Sequence, residues 1–208
     1  MPVIALVGNK GGAGKTTLSV NLAAGLAKQS TAIFIDADPQ GSAIQWNAFT
    51  VIDASNSVLE ASEDLSVQLD QPSKKYEYIV VDCPPSVSAP QTISVLEISD
   101  LALIPVQPSP VDLWATVHTE KAVQQARQSN TKLQALLVIN QLETRTTLSR
   151  LVRDALAEID LPVAKTALRR RAVFRNSALE GKNVFEMGRR GIDAAREIEQ
   201  LIHEVMKI

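Results

Sequence analysis

The sequence predicts an α/β fold, a three-layer, doubly wound, mostly parallel sheet with helices on both faces. Short apolar runs rich in Val, Ile and Leu alternate with longer stretches of helical spacing, the signature of strand-helix-strand units around a sheet buried on both sides. At 208 residues, 45% of them apolar, the chain can bury one good core. No composition shift, Ser/Gly-rich linker, repeat or low-complexity tract divides it, so residues 1–208 are expected to form a single domain.

In chain order, strands are expected at 3–7, 32–35, 78–81, 101–106 and 133–139, with weaker candidates at 51–52 and 161–164. Helical spacing marks 16–28, where Leu18, Leu22 and Leu26 recur with polar residues opposite, then 117–127 and 148–158. It returns at 194–206, with Ile198, Leu201, Ile202 and Val205 on one face. The stretch 56–73 holds Glu60, Glu63, Asp64 and Asp70 with few large apolar residues and reads as a surface excursion.

Bulk chemistry excludes several classes. A formal net charge of -2 gives no global pull toward nucleic acid or membrane, so any charged partner must meet a local patch. The lone cysteine, Cys83, precludes an internal disulfide and a metal cluster built from the cysteines of one chain, which fits a reducing cytoplasm. The first residues lack a basic region and run straight into a Gly-rich loop, so they read as a strand and not a signal peptide. No run approaches the roughly 18 apolar residues needed to cross a bilayer.

The first strand is followed by Asn9-Lys10-Gly11-Gly12-Ala13-Gly14-Lys15-Thr16-Thr17 and then a helix, the context that makes a Gly-rich string a phosphate site. Glycines let consecutive N–H groups turn inward toward anionic oxygens, and the helix N-terminus adds its partial positive charge. Lys15 can reach terminal phosphates, and Thr16 can offer a hydroxyl to Mg²⁺. Asn9 stands where the general pattern has a glycine, a residue type that tolerates unusual backbone angles. Lys10 is a second lysine at the mouth of the loop, poorly placed for the phosphates Lys15 already serves.

Lys10 to Thr17 resembles the deviant Walker A motif of the ParA/MinD ATPases, P-loop NTPases that use ATP and Mg²⁺. The resemblance implies nucleotide contacts at Gly11, Gly12, Ala13, Gly14, Lys15, Thr16 and Thr17. It also implies that Lys10 reaches across a nucleotide-sandwich homodimer to the partner's phosphates, so Lys10 and Lys15 both serve catalysis.

Asp36-Ala37-Asp38-Pro39-Gln40-Gly41 follows the second strand, at the carboxyl edge where open parallel sheets bind ligands. An acid there can orient an attacking water or hold the water shell of Mg²⁺; Asp38-Pro39-Gln40-Gly41 also reads as a turn whose Asp caps a helix from about Ser42. It resembles the family's Asp-x-Asp-Pro-Gln motif, which implies a hydrolytic role for Asp38 and metal support from Asp36. Asp82 closes the apolar run 78–81 before Cys83-Pro84-Pro85, as a Walker B carboxylate meets Mg²⁺ through water, although a helix-capping Asp fits too. Cys83 reads as a buried space-filler. The segment 103–112, Leu103 to Asp112, resembles the family's nucleotide-contact and dimer-seam segment, and Asn140 resembles the residue that contacts adenine, with a turn-forming Asn as the alternative.

Between 165 and 190 the chain carries Lys165, Arg169, Arg170, Arg171, Arg175, Lys182, Arg189 and Arg190 against Glu180 and Glu186. Doubled by dimerisation, such a patch would contact DNA phosphates without reading bases; a solvated face, or arginines serving the nucleotide or dimer seam, is the alternative. The last helix mixes Glu197, Glu199 and Glu204 with few cations, so no membrane contact is expected, and His203 reads as a surface residue. A single cysteine cannot supply the two per chain that a reductase like the nitrogenase iron protein needs. With no helix-turn-helix extension before Val3, the chain resembles the short ParF-like or McdA-like branch. The resemblance implies a slow, Mg-dependent ATP hydrolase, cytoplasmic and nucleoid-associated, that dimerises with ATP and binds DNA non-specifically. With a ParB-like or McdB-like adaptor it would position a plasmid, a chromosome origin or a compartment such as a carboxysome. A MinD-like membrane-surface regulator of division and a small-molecule synthetase on the same fold are the alternatives.

Overall fold

The computed structural model describes residues 2–46, 58–62, 65–69, 75–143, 155–156 and 158–208. Among these residues six parallel strands make one sheet: β1 (Val3–Leu6), β2 (Ala32–Asp36), β3 (Val58–Glu60), β4 (Tyr78–Asp82), β5 (Leu101–Val106) and β6 (Gln134–Ile139). Their order is β3-β2-β4-β1-β5-β6. From β1 the chain winds outward to β2 and β3; from β4 it crosses to β5 and β6 on the other side. The carboxyl ends of β1 and β4 therefore flank the reversal, the place where such sheets leave a crevice for ligands.

Side chains alternate across the sheet as a period of two requires. Ile4, Leu6, Phe34, Val80, Leu103 and Val138 face α1 (Lys15–Ala27) and the C-terminal helix. Val3, Ala5, Ile35, Val81, Ile104 and Ile139 face the opposite layer. The short helices α2 (Ser42–Trp46) and α3 (Leu65–Leu69) follow β2 and β3, while α4 (Pro90–Ile98) and α5 (Pro110–Ala126) follow β4 and β5. Later come α6 (Ala172–Leu179), two 3₁₀ turns at Val184–Glu186 and Gly188–Arg190, and α7 (Ile192–Val205), whose Ile198, Leu201, Ile202 and Val205 are buried as their spacing predicts.

The five main strands form where expected, and the structure adds edge strand β3 inside the stretch read as a surface excursion. The weak strand at 161–164 is reduced to one parallel bridge, Val163 with Leu137, beside a proline that has no N–H to donate. Residues 51–52 and most of 148–158 lie outside the described residues. The helix expected from 117 starts at Pro110, because Ser109 caps it and a proline at the first helical position favours initiation there. Helices α4 and α6 are not among those the spacing predicts; α6 falls within the basic stretch, where charge masks the period.

Helix α1 departs from the expected one-faced pattern. Its polar residues Ser19 and Asn21 are buried along with its leucines, because the sheet covers one side and α7 the other. Asn21 donates to the Thr17 carbonyl (2.7 Å) and accepts from the Val184 N–H (2.8 Å), tying α1 to the first 3₁₀ turn. His203 is exposed, as read from sequence. Among the described residues no helix is long and apolar enough to cross a membrane.

Candidate functional site

The β1–α1 loop turns on Gly12 (φ 81) and Gly14 (φ 87), both left-handed, a conformation open to glycine at little cost. Asn9 does not use that region. Its side-chain oxygen instead accepts the Val87 N–H at 3.3 Å and ties the loop to the turn after β4. Lys15 opens α1 and is only 6% exposed; its ammonium donates to the Lys10 carbonyl at 3.1 Å. Burial lowers its pKa, partly offset by the nearby Asp82 carboxylate.

Asp82 ends β4, level with Asp36 on β2, and is fully buried. Thr16 donates to one carboxylate oxygen (2.6 Å) and Ser19 to the other (2.8 Å). Burial, opposed by those two hydrogen bonds, pushes its pKa up to about 7. Ser19 is absent from the sequence-based site. Its position three residues after Thr16 on the same helix face was the available signal.

Asp36 is also buried, and its carboxylate accepts backbone N–H groups of Asp38 (3.1 Å), Ala43 (3.0 Å) and Ile44 (3.1 Å). It caps α2, a role expected of Asp38 in Asp38-Pro39-Gln40-Gly41 and taken instead by the carboxylate two residues earlier. Burial raises its pKa against those hydrogen bonds. Asp38 is half-buried and accepts the Gln40 N–H at 3.0 Å; its charge is close enough to Lys15 to favour the ammonium there. Cys83 is buried, and burial pushes its thiol up, as suits a space-filling residue.

Lys10 does not extend freely from the loop mouth. Its ammonium pairs with the Asp112 carboxylate at 2.7 Å. Asp112 lies in the segment that the resemblance marks, with no role of its own there; the Ser109-x-x-Asp112 helix-start pattern is the signal that would find it. Gln107 and Gln141 both donate to the Gly12 carbonyl, the second at 3.4 Å. Among the described residues Gln141 is the non-glycine residue with positive φ, 55°. Asn140 uses both ends of its amide: Nδ2 donates to the Ala13 carbonyl (2.8 Å) and Oδ1 accepts the Gln141 N–H (2.9 Å). A Cβ on Gly14 would stand 2.4 Å from that Nδ2, so Asn140 packs against the loop.

Behind the loop lies a cavity of about 530 Å³, lined by Gly14, Thr17, Asn140, Gln141, Phe174 and Arg175 among others, a volume suited to a small organic ligand. Its basic wall belongs to the arginine stretch, and here the structure divides the six arginines. Arg171, 24% exposed, grips Glu197 through two nitrogens, the shorter contact 2.7 Å, and reaches Asp193 at 3.3 Å. Arg170 pairs with Glu143 and Arg190 with Glu180, both exposed pairs of small energetic worth. Arg169 lies 3.7 Å from Glu197, and Arg175 and Arg189 are exposed.

A phosphate loop, a buried strand-end carboxylate on the hydroxyl that follows the loop lysine, and a cavity behind them form a nucleotide site. A family model described as the CobQ/CobB/MinD/ParA nucleotide-binding domain matches residues 4–184. The chain belongs to this family. Within the MinD/ParA relatives it is 42% identical, over 98% of its length and 95% of the other's, to the maintenance of carboxysome distribution protein A of Halothiobacillus neapolitanus. It is 26% identical to the sporulation initiation inhibitor protein Soj of Bacillus subtilis, over 94% and 97% of the two chains. Its fold matches a Cyanothece McdA–ATP complex with a TM-score of 0.80 at 16% identity, over 100% and 97% of the chains.

Proposed function

We propose that this chain is an ATP hydrolase acting as a single domain in the cytoplasm. Its ATP-bound form pairs with a second copy, holds nucleoid DNA without reading sequence and, with an adaptor protein, positions carboxysomes. The supporting observation is the near end-to-end similarity to a protein named for carboxysome distribution.

The residues fit a magnesium nucleotide. The buried Lys15 ammonium has three donors and one backbone partner, leaving capacity for phosphate oxygens. Thr16 and Asp82 form a hard oxygen donor set, the kind Mg²⁺ takes, with Asp82 lacking a direct ion pair among the described residues. Mg²⁺ would neutralise charge building on the phosphates during transfer. In this assignment Thr16, through its hydroxyl, and Asp82, through its carboxylate, would hold the Mg²⁺, and Asp36 would support them from its capped position. Gly11 to Thr17 cradle the phosphates, Asn140 and Gln141 border the base, and Asp38 orients the attacking water. Lys10 serves the partner's nucleotide.

Lys10→Ala is expected to leave ATP binding by the monomer largely intact and to remove the ATP-dependent dimer, read by light scattering with ATP, ADP and no nucleotide. A normal dimer would end the role given to Lys10. For DNA, Arg189→Ala with Arg190→Ala removes two exposed cations outside the cavity lining. It should weaken the ATP-dependent mobility shift and reduce its salt slope by about one for each phosphate no longer bound. If ATP creates no shift in the wild-type protein, the nucleoid part of the proposal is wrong.

A further inference from the structure

The apolar stripe of α7 is broken by a carboxylate. Ala194, Glu197, Ile198, Leu201, Ile202 and Val205 recur at helical spacing and are all buried, so they form the face that packs on the core. Glu197 is 9% exposed, in a place where a carboxylate is costly unless it is paired and hydrogen-bonded. Its partners come from one short segment, 169–171. The Arg169 N–H donates to one carboxylate oxygen at 3.1 Å, and Arg171 holds the group through Nε at 3.3 Å and Nη2 at 2.7 Å.

The end of β6 pins the same segment from its other edge. The Leu168 N–H donates to the Ile139 carbonyl (2.9 Å), the Arg170 N–H to the Leu142 carbonyl (3.1 Å) and the Leu142 N–H to the Leu168 carbonyl (2.9 Å). Successive N–H groups of an extended chain point to opposite edges, so that of Arg169 faces away from β6. Glu197 stands where the carbonyls of a next strand would be, and closes that edge. Segment 168–171 also lines the cavity of about 530 Å³ and runs straight into α6. Arg171 is the N-cap residue of that helix, and Phe174 and Arg175 at its start line the cavity together with Gly14 and Thr17.

We propose that Glu197 is a positioning residue for the nucleotide base. By holding 169–171 against β6 it fixes the cavity wall and the start of α6, so that the Phe174 ring and the Arg175 guanidinium stand ready for a purine. This rests on the function proposed above, in which Asn140 and Gln141 border the base. A flat ring gains affinity by stacking on an aromatic or guanidinium plane, and gains most when the plane is already in place. A wall that is in place for only a fraction of the time lowers the apparent affinity by that fraction. The contacts of Glu197 lie in 169–171 and not in the phosphate loop, so its effect falls on the part of binding that depends on the base.

The test titrates wild type and Glu197→Gln by calorimetry with ADP and with ribose 5-diphosphate, the same molecule without its base. Hydrogen exchange at 168–171 is followed in the nucleotide-free proteins. Glu197→Gln keeps the shape and an oxygen for the Arg169 N–H but loses the charge that holds Arg171, leaving the exposed Asp193 as its ionic partner. It should weaken ADP binding by about fivefold to tenfold, change ribose 5-diphosphate binding by less than about twofold, and speed exchange at 168–171. Equal losses for the two ligands would make Glu197 a support of the whole fold and overturn the proposal. Unchanged ADP affinity overturns it, and so does unchanged exchange, since the wall would not have loosened.

The wild-type protein separates this proposal from the reading beneath it. If it binds the two ligands equally, the cavity is no base site and both fail. If it prefers ADP by about tenfold or more and Glu197→Gln keeps that preference, only the role of Glu197 fails. Should Glu197→Gln not fold, Arg171→Lys retains the charge and replaces the two-nitrogen grip with a point contact. It is expected to weaken ADP by about threefold and to leave ribose 5-diphosphate as in wild type. No loss there overturns the proposal equally.

Discussion

Asp82→Asn is expected to raise the melting temperature of the nucleotide-free protein at pH 8 while ending ATP turnover. The carboxyl is fully buried, and its pKa stands at about 7 against an ordinary value of 3.8. A folded-state pKa above the unfolded one means that the folded chain binds more protons between those values. Stability therefore falls as pH rises through that window, and above it the folded state carries the whole cost of the buried charge. At about 1.4 kcal/mol per pH unit, the cost at pH 8 is roughly 2–4 kcal/mol, which for a chain this long corresponds to about 4–16 °C. Asparagine keeps the shape, and the Thr16 and Ser19 hydroxyls can turn to meet it. The gain should shrink steadily as pH falls and vanish near the unfolded pKa. Turnover should drop by about a hundredfold or more, as when a charge-stabilising group is removed from an active site. Thermal unfolding in EDTA from pH 4 to 8 checks the first half and phosphate release with Mg²⁺ the second. Equal melting temperatures at pH 8 would show that Asp82 ionises in place without cost. Stability given up at a functional carboxylate is a common arrangement, and a divalent cation would return it on binding.

That carboxylate was legible in the sequence, and so was the loop, because both are local patterns: an apolar run closed by an acid, and glycines at fixed offsets before a helix. The strands were legible for the same reason. What stayed hidden were partnerships between residues far apart in the chain. Lys10 and Asp112 meet 102 positions apart, and nothing local to Lys10 marks the acid that holds it. The basic stretch shows the limit most plainly. As a string, 165–190 is strongly cationic and the last helix acidic, which suggested one surface for DNA and another that repels lipid. In space those two segments meet: Glu197 and Asp193 take Arg171, and Glu204 accepts the backbone N–H groups of Lys165 and Thr166 at 2.7 and 3.0 Å. The asymmetry along the chain is partly cancelled between its own elements, leaving Arg175, Arg189 and the half-exposed arginines as the cations with most reach into solvent. Elementary residue preferences read a turn and a helix cap at Asp38; the structure puts the capping carboxylate two residues earlier, with Asp36 on three backbone N–H groups.

Gly191→Ala is expected to be the most damaging single-methyl change in the C-terminal quarter, where the sequence offered least. Gly191 sits at φ -91 and ψ -15, dihedrals any residue can adopt, so its backbone alone gives no reason for glycine. The reason is space. A Cβ there would stand 2.0 Å from the Val184 carbonyl oxygen and 3.0 Å from Met187 Cβ. The carbonyl cannot step aside cheaply. Val184 is anchored through its N–H to Asn21 of α1, and its neighbour Asn183 is locked to Glu186 by contacts of 2.9 and 2.6 Å. Moving α7 instead meets α1, where Ile202 packs so closely on Gly25 that a Cβ there would fall 2.5 Å from its Cδ1. With neither side free to yield, the added methyl should cost about 3 kcal/mol or more, a fall of roughly 6–12 °C. Gly188→Ala is the informative comparison. Its φ of 55 is left-handed, costing about 1–2 kcal/mol for alanine, yet nothing lies within 4 Å of the new Cβ. Thermal unfolding of the two variants should therefore rank them against the usual expectation, with the glycine of ordinary dihedrals the costlier one to replace. Because α1 carries Lys15 and Thr16 at its far end, Gly191→Ala should also weaken nucleotide binding, and Gly188→Ala should not. A smaller loss for Gly191→Ala than for Gly188→Ala would mean that the turn from 184 to 191 can reshape without disturbing α1.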